Sequence, residues 1–163
     1  MSATGPVKRV TLWVRDLEAS LAVYRDALGL AVLERKELQG PAIAKMVGLE
    51  QAKLRIVHLG AEGATHGWVG LYEISATAPH DMQSLAKPLS FPAYGQATVV
   101  FETTAMDAVL VRLRACVGVR FVTAPTEYVK REASAAMPAG RYSELIFFDP
   151  DGIPVSVMGY APL

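Results

Sequence analysis

The chain has a single cysteine, Cys116, so no intrachain disulfide can staple the fold, and that scarcity suits a reducing compartment. Charge of one sign is also missing. Sixteen Lys and Arg balance 16 Asp and Glu, which argues against nucleic acid or an anionic membrane as a partner. No run approaches the ~20 apolar residues that a membrane-spanning helix needs, and the opening MSATGPVKRV lacks the apolar core of a secretory signal. Histidine is scarce as well: His58, His66 and His80 follow no compact metal spacing such as HExxH, and each reads first as a surface or half-buried polar side chain. These absences leave a soluble cytoplasmic protein as the expectation. What is plentiful is apolar, 52% of 163 residues, enough for one domain with a real core and too little chain for two ordinary ones.

Sliding the chain by 89 positions lays it on itself: Val10, Thr11 and Leu12 fall on Val99, Val100 and Phe101, Leu17 on Met106, Leu21 on Leu110, Tyr24 on Leu113, and Gly29 on Gly118. A repeat of this length organises the whole fold. In each copy a strand leads into a helix. Val10, Leu12 and Val14 alternate with Arg9, Thr11, Trp13 and Arg15, the period of two of a strand with one packed face. Asp16 stands where an N-cap belongs, Leu17, Leu21, Tyr24 and Leu28 follow at helical spacing, and Gly29 supplies a left-handed stop. In the second copy Met106, Val109, Leu110, Leu113 and Val117 make the stripe and Gly118 the stop.

Leu30 to Glu37 reads as a second strand and Pro41 to Val47 as a short helix, with strands at 52–60 and 68–74 behind them. Two further strands, 142–148 and 153–158, are joined by Asp149-Pro150-Asp151-Gly152, a turn by its Pro and Gly. The Pro-bearing stretch at about 76–95 is the linker between a first module at about 7–75 and a second at about 96–160. Ala124 to Gly140 reads as one long, aperiodic loop. The sum is an α+β architecture, βαβββ twice, with about eight strands and two main helices, a ferredoxin-like tandem being the rival arrangement.

The segment from Arg9 to Tyr24, running on to Leu28-Gly29, and the closing Phe147-Phe148-Asp149-Pro150-Asp151-Gly152 resemble the opening and the last turn of the vicinal-oxygen-chelate superfamily, the glyoxalase, bleomycin-resistance and extradiol-dioxygenase proteins. With the repeat between them, the resemblance covers almost the whole chain. It implies a concave mixed sheet around a small-molecule cavity, pairing into homodimers, and in many members a divalent metal held by His or Glu from four strand positions. Those positions here are Arg9, Thr98, Ser156 and either Gly70 or Tyr72, none a good ligand for a transition metal. Glu73 lies close by, but strand alternation turns it to the other face. The expected metal and cofactor complement is therefore none.

Residues sharing the parity of the ligand positions face the cavity that the resemblance implies: Arg9, Thr11 and Trp13; Tyr72 with Gly70; Thr98, Val100 and Glu102; Pro154, Ser156 and Met158. Such a lining suits a small hydrophobic or aromatic molecule. Trp13 and Tyr72 would stack on it or else fill core, and Arg9 would hold an anion or else pair with a carboxylate such as Glu102. Ser156 would act as a nucleophile only with an adjacent base, and no His sits beside it, which argues against catalytic use. Three functions stay open: a metal-free binding protein for a small organic molecule; a lyase or dioxygenase with an atypical metal set, drawing on Glu73 or a histidine; and a metal-independent enzyme using Arg9 or Glu102.

Overall fold

The alternation of the opening segment becomes β1, Arg9–Val14, in which Leu12 and Val14 are buried while Arg9 and Trp13 remain exposed. Asp16 caps the following helix: its carboxylate accepts from the backbone N–H groups of Glu18 and Ala19 at 2.9 and 3.1 Å. The helix, α1, runs over Leu17–Leu21 and then widens into a π-helical turn, Ala22–Ala27, where Leu28 N–H donates to Val23 O at 2.9 Å. The wider turn lets the adjacent Val23 and Tyr24 both be buried, beside Leu17, Leu21 and Ala27. Burying each of these large side chains is worth about 1.5–3 kcal/mol.

In the computed structural model, which describes residues 4–75 and 91–163, the contacts divide the chain into two units, Met1–Gln83 and Ser84–Leu163. After α1 the first unit continues with β2 (Ala31–Gln39), α2 (Pro41–Val47), β3 (Lys53–Gly60) and β4 (Trp68–Ser75). Its sheet has the order β1-β4-β3-β2, with β1 parallel to β4 and the other pairs antiparallel. The α1 helix packs on β4 over one face, the face of Leu12, Val14, Val57, Leu59, Val69 and Leu71, all buried.

The second unit repeats the scheme with β5 (Val99–Thr103), α3 (Met106–Ala115), β6 (Arg120–Phe121), β7 (Thr126–Lys130), β8 (Gly140–Phe148) and β9 (Pro154–Ala161). Strand β5 is parallel to β9, β9 antiparallel to β8, and β6 and β7 both pair with β8. The fold class is the expected one, α+β from two βαβββ modules, with the outer strand of the second module broken in two. Nine strands rather than eight are found among the described residues.

Two expectations need correction. The stretch Ala124 to Gly140 is not one loop, because Thr126–Lys130 pairs in register with Gly140–Glu144; the β-favouring Thr, Tyr and Val in it form too short a run to show a period. Val117 does not join the stripe of α3: the helix stops at Ala115, Cys116 turns extended at ψ 124, and Val117 is left exposed. Most of the expected linker, residues 76–90, lies outside the described residues, as does His80. No helix among the described residues is long and apolar enough to cross a membrane.

The turn between β8 and β9 is built on Asp149, which is buried. Its Oδ1 accepts from the N–H groups of Asp151 and Ile153 at 2.9 and 2.8 Å, while its backbone carbonyl accepts from Gly152 N–H at 3.0 Å. Asp149→Ala strips the partner from both side-chain bonds, and an expected loss of about 1–3 kcal/mol should appear as a lower urea midpoint at unchanged m.

Candidate functional site

Strand register decides which side chains share the face of the first unit that α1 leaves uncovered. Thr11 stands opposite Gly70 and Trp13 opposite Tyr72; Gly70 in turn faces His58, and Tyr72 faces Ile56; His58 faces Glu34. One end of this face is closed by apolar packing, Leu54, Ile56 and Tyr72 against Leu38, Ile74 and, from α2, Ile43 and Val47. Beyond it His58 and Glu34 stand in register with Gly70 and Thr11, and Arg9 stands opposite Trp68, while Trp13 is level with Tyr72.

Gly70 makes this arrangement possible. A Cβ at that position would come within 2.7 Å of Tyr72 Cε2 and 3.3 Å of His58 Cδ2, so the two rings occupy the room a side chain would need. His58 is 1% exposed and uses both ring nitrogens. Its Nδ1 lies 2.8 Å from Glu34 Oε2 and its Nε2 lies 3.1 Å from Tyr72 Oη. The ionised Glu34 only accepts, so Nδ1 carries the proton and the Tyr72 hydroxyl donates to Nε2. Burial holds His58 below the usual histidine range, opposed by its bond to Glu34 and reinforced by the charges of Lys36 and Arg9. Glu34 is held below the ordinary carboxylate range by hydrogen bonds from Lys36 and then from His58.

Of the residues singled out from the sequence, Arg9, Trp13 and Tyr72 come together. The Arg9 guanidinium lies 5.8 Å from the Tyr72 ring centroid, and the Trp13 ring meets Tyr72 at 5.4 Å with an interplanar angle of 66°. Thr11, half-buried, lies beside Gly70. The sequence reading missed Glu34 and misplaced His58, which is neither at the surface nor half-buried. Glu73 is turned away: it accepts from Leu17 N–H at the start of α1 (2.8 Å) and from Arg55 (3.0 Å).

In the second unit Val100 stands opposite Ser156 and Glu102 opposite Met158, with the half-buried Thr98 just before β5. The Ser156 hydroxyl donates to Glu144 Oε1 at 2.6 Å, so a carboxylate from β8 stands beside the serine of β9. Glu144 is a second residue that the sequence reading missed. Tyr128, Tyr142 and Tyr160 form a row across three strands, Tyr128 and Tyr142 stacked at 5.3 Å, and Tyr128 Oη donates to Met158 Sδ at 3.9 Å. Burial, with Glu144 as neighbour, pushes the Tyr128 hydroxyl above its ordinary range.

The metal positions that the resemblance implies can now be tested against these contacts. The register that sets Gly70 opposite Thr11 sets Ser156 opposite Val100, and Thr11 and Val100 are repeat partners, so Gly70 rather than Tyr72 is the counterpart of Ser156. Gly70 has no side chain and no room for one, Ser156 is engaged by Glu144, and Arg9 is a permanent cation. This donor set does not fit a divalent metal. Among the described residues, no three His, Cys, Asp or Glu side chains are placed to hold one.

Two measurements follow from Gly70 and His58. Gly70→Ala should cost about 1–3 kcal/mol by displacing packed rings, seen as a lower melting temperature. His58 binds a proton less readily in the fold than in the unfolded chain, whose value is about 6.5. Its contribution is therefore complete above about pH 6.5 and is lost as the pH falls through the folded value, because the unfolded state takes up the proton first. Melting curves between about pH 7 and 5 should show stability falling with pH, and His58→Gln should flatten that slope.

The model of the Glyoxalase/Bleomycin resistance protein/Dioxygenase superfamily matches residues 7–157. Among solved structures, a glyoxalase family protein from Bacillus cereus is 17% identical with a TM-score of 0.74, the alignment covering 98% of each chain. A glyoxylase/bleomycin resistance protein/dioxygenase domain from a Frankia species is 21% identical with a TM-score of 0.57, over 98% of this chain and 94% of that one. An antibiotic binding protein from a Streptomyces species is 20% identical with a TM-score of 0.51, over 99% and 100%. A search of the curated proteins finds no match to this sequence. At these identities the solved structures speak for the fold alone, whereas the family match spans both modules from the opening strand to the last: the chain belongs to the Glyoxalase/Bleomycin resistance protein/Dioxygenase superfamily.

Proposed function

We propose that the protein binds a small, flat, aromatic and anionic molecule, without a metal, on the face of the first unit that carries Arg9, Trp13 and Tyr72. The observation behind this reading is the pairing of one guanidinium with two rings: Arg9 lies over Tyr72, and Trp13, 45% exposed, stands edge-on to the same ring. An apolar platform with a guanidinium set over its ring recognises a planar acid, the rings by area and the fork by charge. The corresponding face of the second unit has the opposite sign. There Thr98, Ser156 and Met158 sit with Glu102 and Glu144, which leaves the face of the first unit as the one suited to an anion. The antibiotic binding protein among the structural neighbours is consistent with a binding role on this fold. A cytoplasmic homodimer that takes up neither nucleic acid nor membrane completes the reading; sedimentation would give its mass.

Calorimetry with 1-naphthoate in chelator-treated buffer tests this directly. Saturable binding is expected, and Arg9→Gln should weaken it about 10- to 100-fold, the worth of a charge-assisted hydrogen bond. Neutral naphthalene should lose the same factor on the wild-type protein and be indifferent to the substitution. Elemental analysis of untagged protein should find less than about a tenth of an equivalent of metal, and no added Ni, Zn, Mn or Fe(II) should raise the melting temperature. Metal-dependent binding, or a near-stoichiometric metal, would overturn the reading.

A further inference from the structure

The chain Glu34–His58–Tyr72 is more than the proposed binding function uses. We propose that it is a proton relay opening onto the Arg9 and Trp13 face, and that the ligand class of this face is an acidic phenol or enol, bound as its anion after handing its proton to the protein. The inference rests on the binding reading above and adds proton transfer to it.

The argument starts from access. His58 is the one basic group at the face able to exchange a proton near neutrality, yet only 1% of it is exposed. Its Nε2, the free lone pair, is covered by the Tyr72 hydroxyl at 3.1 Å. The way from that face to the imidazole runs through Tyr72, itself 8% exposed, whose Oη has acceptor capacity left after donating to Nε2. On the far side Glu34 Oε2 holds Nδ1 at 2.8 Å and also accepts from Lys36 Nζ at 3.0 Å, fixing the tautomer that leaves Nε2 basic and placing a carboxylate, shared with Lys36, where imidazolium would form. Proton movement is then a two-bond shift. The ligand O–H bond breaks and its proton goes to Tyr72 Oη; the Tyr72 proton goes to His58 Nε2. The products are a ligand oxyanion, a neutral tyrosine and an imidazolium paired with Glu34, and nothing is oxidised or reduced.

Arg9 supplies the remaining element, a fixed cation over the Tyr72 ring at 5.8 Å, next to where the oxyanion would form. Gly70 ties the relay to the fold, because any side chain there would drive Tyr72 off His58. The strand position where the resemblance implies a metal ligand is thereby given to two hydrogen-bonded rings, and a metal-independent route to an oxyanion takes its place.

The probe is 4-nitrophenol, whose visible absorbance reports its own ionisation. In chelator-treated buffer, below the pH at which the free probe ionises, the wild-type protein should bind it with the phenolate band raised several-fold over the free probe. At saturating probe, Tyr72→Phe and Glu34→Gln should leave the bound probe protonated. Arg9→Gln should weaken binding while the fraction ionised among bound molecules stays above that of Tyr72→Phe. A bound probe that stays protonated on the wild type, or one that ionises equally on Tyr72→Phe, overturns the relay. Should 1-naphthoate still bind in either case, the binding function survives without it. Loss of both probes removes the two together.

Discussion

In the first unit two aromatic rings lie where a residue on β4 would otherwise place its side chain, and the chemistry of that face depends on this exchange of space. Tyr72 can reach His58 because residue 70 is a glycine; His58 can be buried because Tyr72 and Glu34 occupy both its nitrogens. A buried imidazole without those partners would cost about 1–3 kcal/mol per unsatisfied group. With them it is held neutral, oriented and shielded. Burial pushes its proton affinity down while the bond to Glu34 resists, which keeps a basic nitrogen available inside an otherwise apolar sheet.

The second unit meets the same constraint differently. Its counterpart of Gly70 is Ser156, small but polar, and the space above it is taken by a carboxylate reaching across from β8. The row of Tyr128, Tyr142 and Tyr160 then gives this face an aromatic surface of its own. The face of the first unit thus carries a buried histidine with Arg9 over the neighbouring Tyr72, and that of the second carries Glu102 and Glu144 beside tyrosines.

Much of the frame was legible in the sequence because it rests on local rules. The alternation from Arg9 to Val14, the Asp16 cap, the helix at Pro41–Val47 and the Asp149 turn are each fixed by residues within a few positions of one another. The relay was not legible, and the reason lies in one extra residue. Strand β2 pairs Ala31 with Gly60 and Val32 with Leu59, then shifts so that Glu34, not Leu33, stands opposite His58. Without that bulge, simple alternation would set the apolar Leu33 against the imidazole and turn Glu34 to the opposite face. The π-helical turn in α1 escaped for a like reason: apolar spacing shows which residues are inside, not whether the turn that carries them is a little wide.

A metal and a relay solve one electrostatic problem with different means. A divalent ion stabilises an oxyanion by its own charge, whatever the state of nearby protons. A protein lacking the ligands must supply that charge from side chains, and a permanently charged arginine can do so only if the displaced proton also has somewhere to go. Arg9 by itself would bind anions already formed in solution. Arg9 beside Tyr72, backed by His58 and Glu34, can in addition favour the anion of a ligand that arrives neutral, because the proton settles on an imidazole whose positive charge Glu34 offsets. The first arrangement selects for charge and the second for acidity. The burial of His58 behind Tyr72 fits the second, since a histidine serving as a mere cation would be better placed in the open, where it could keep its proton.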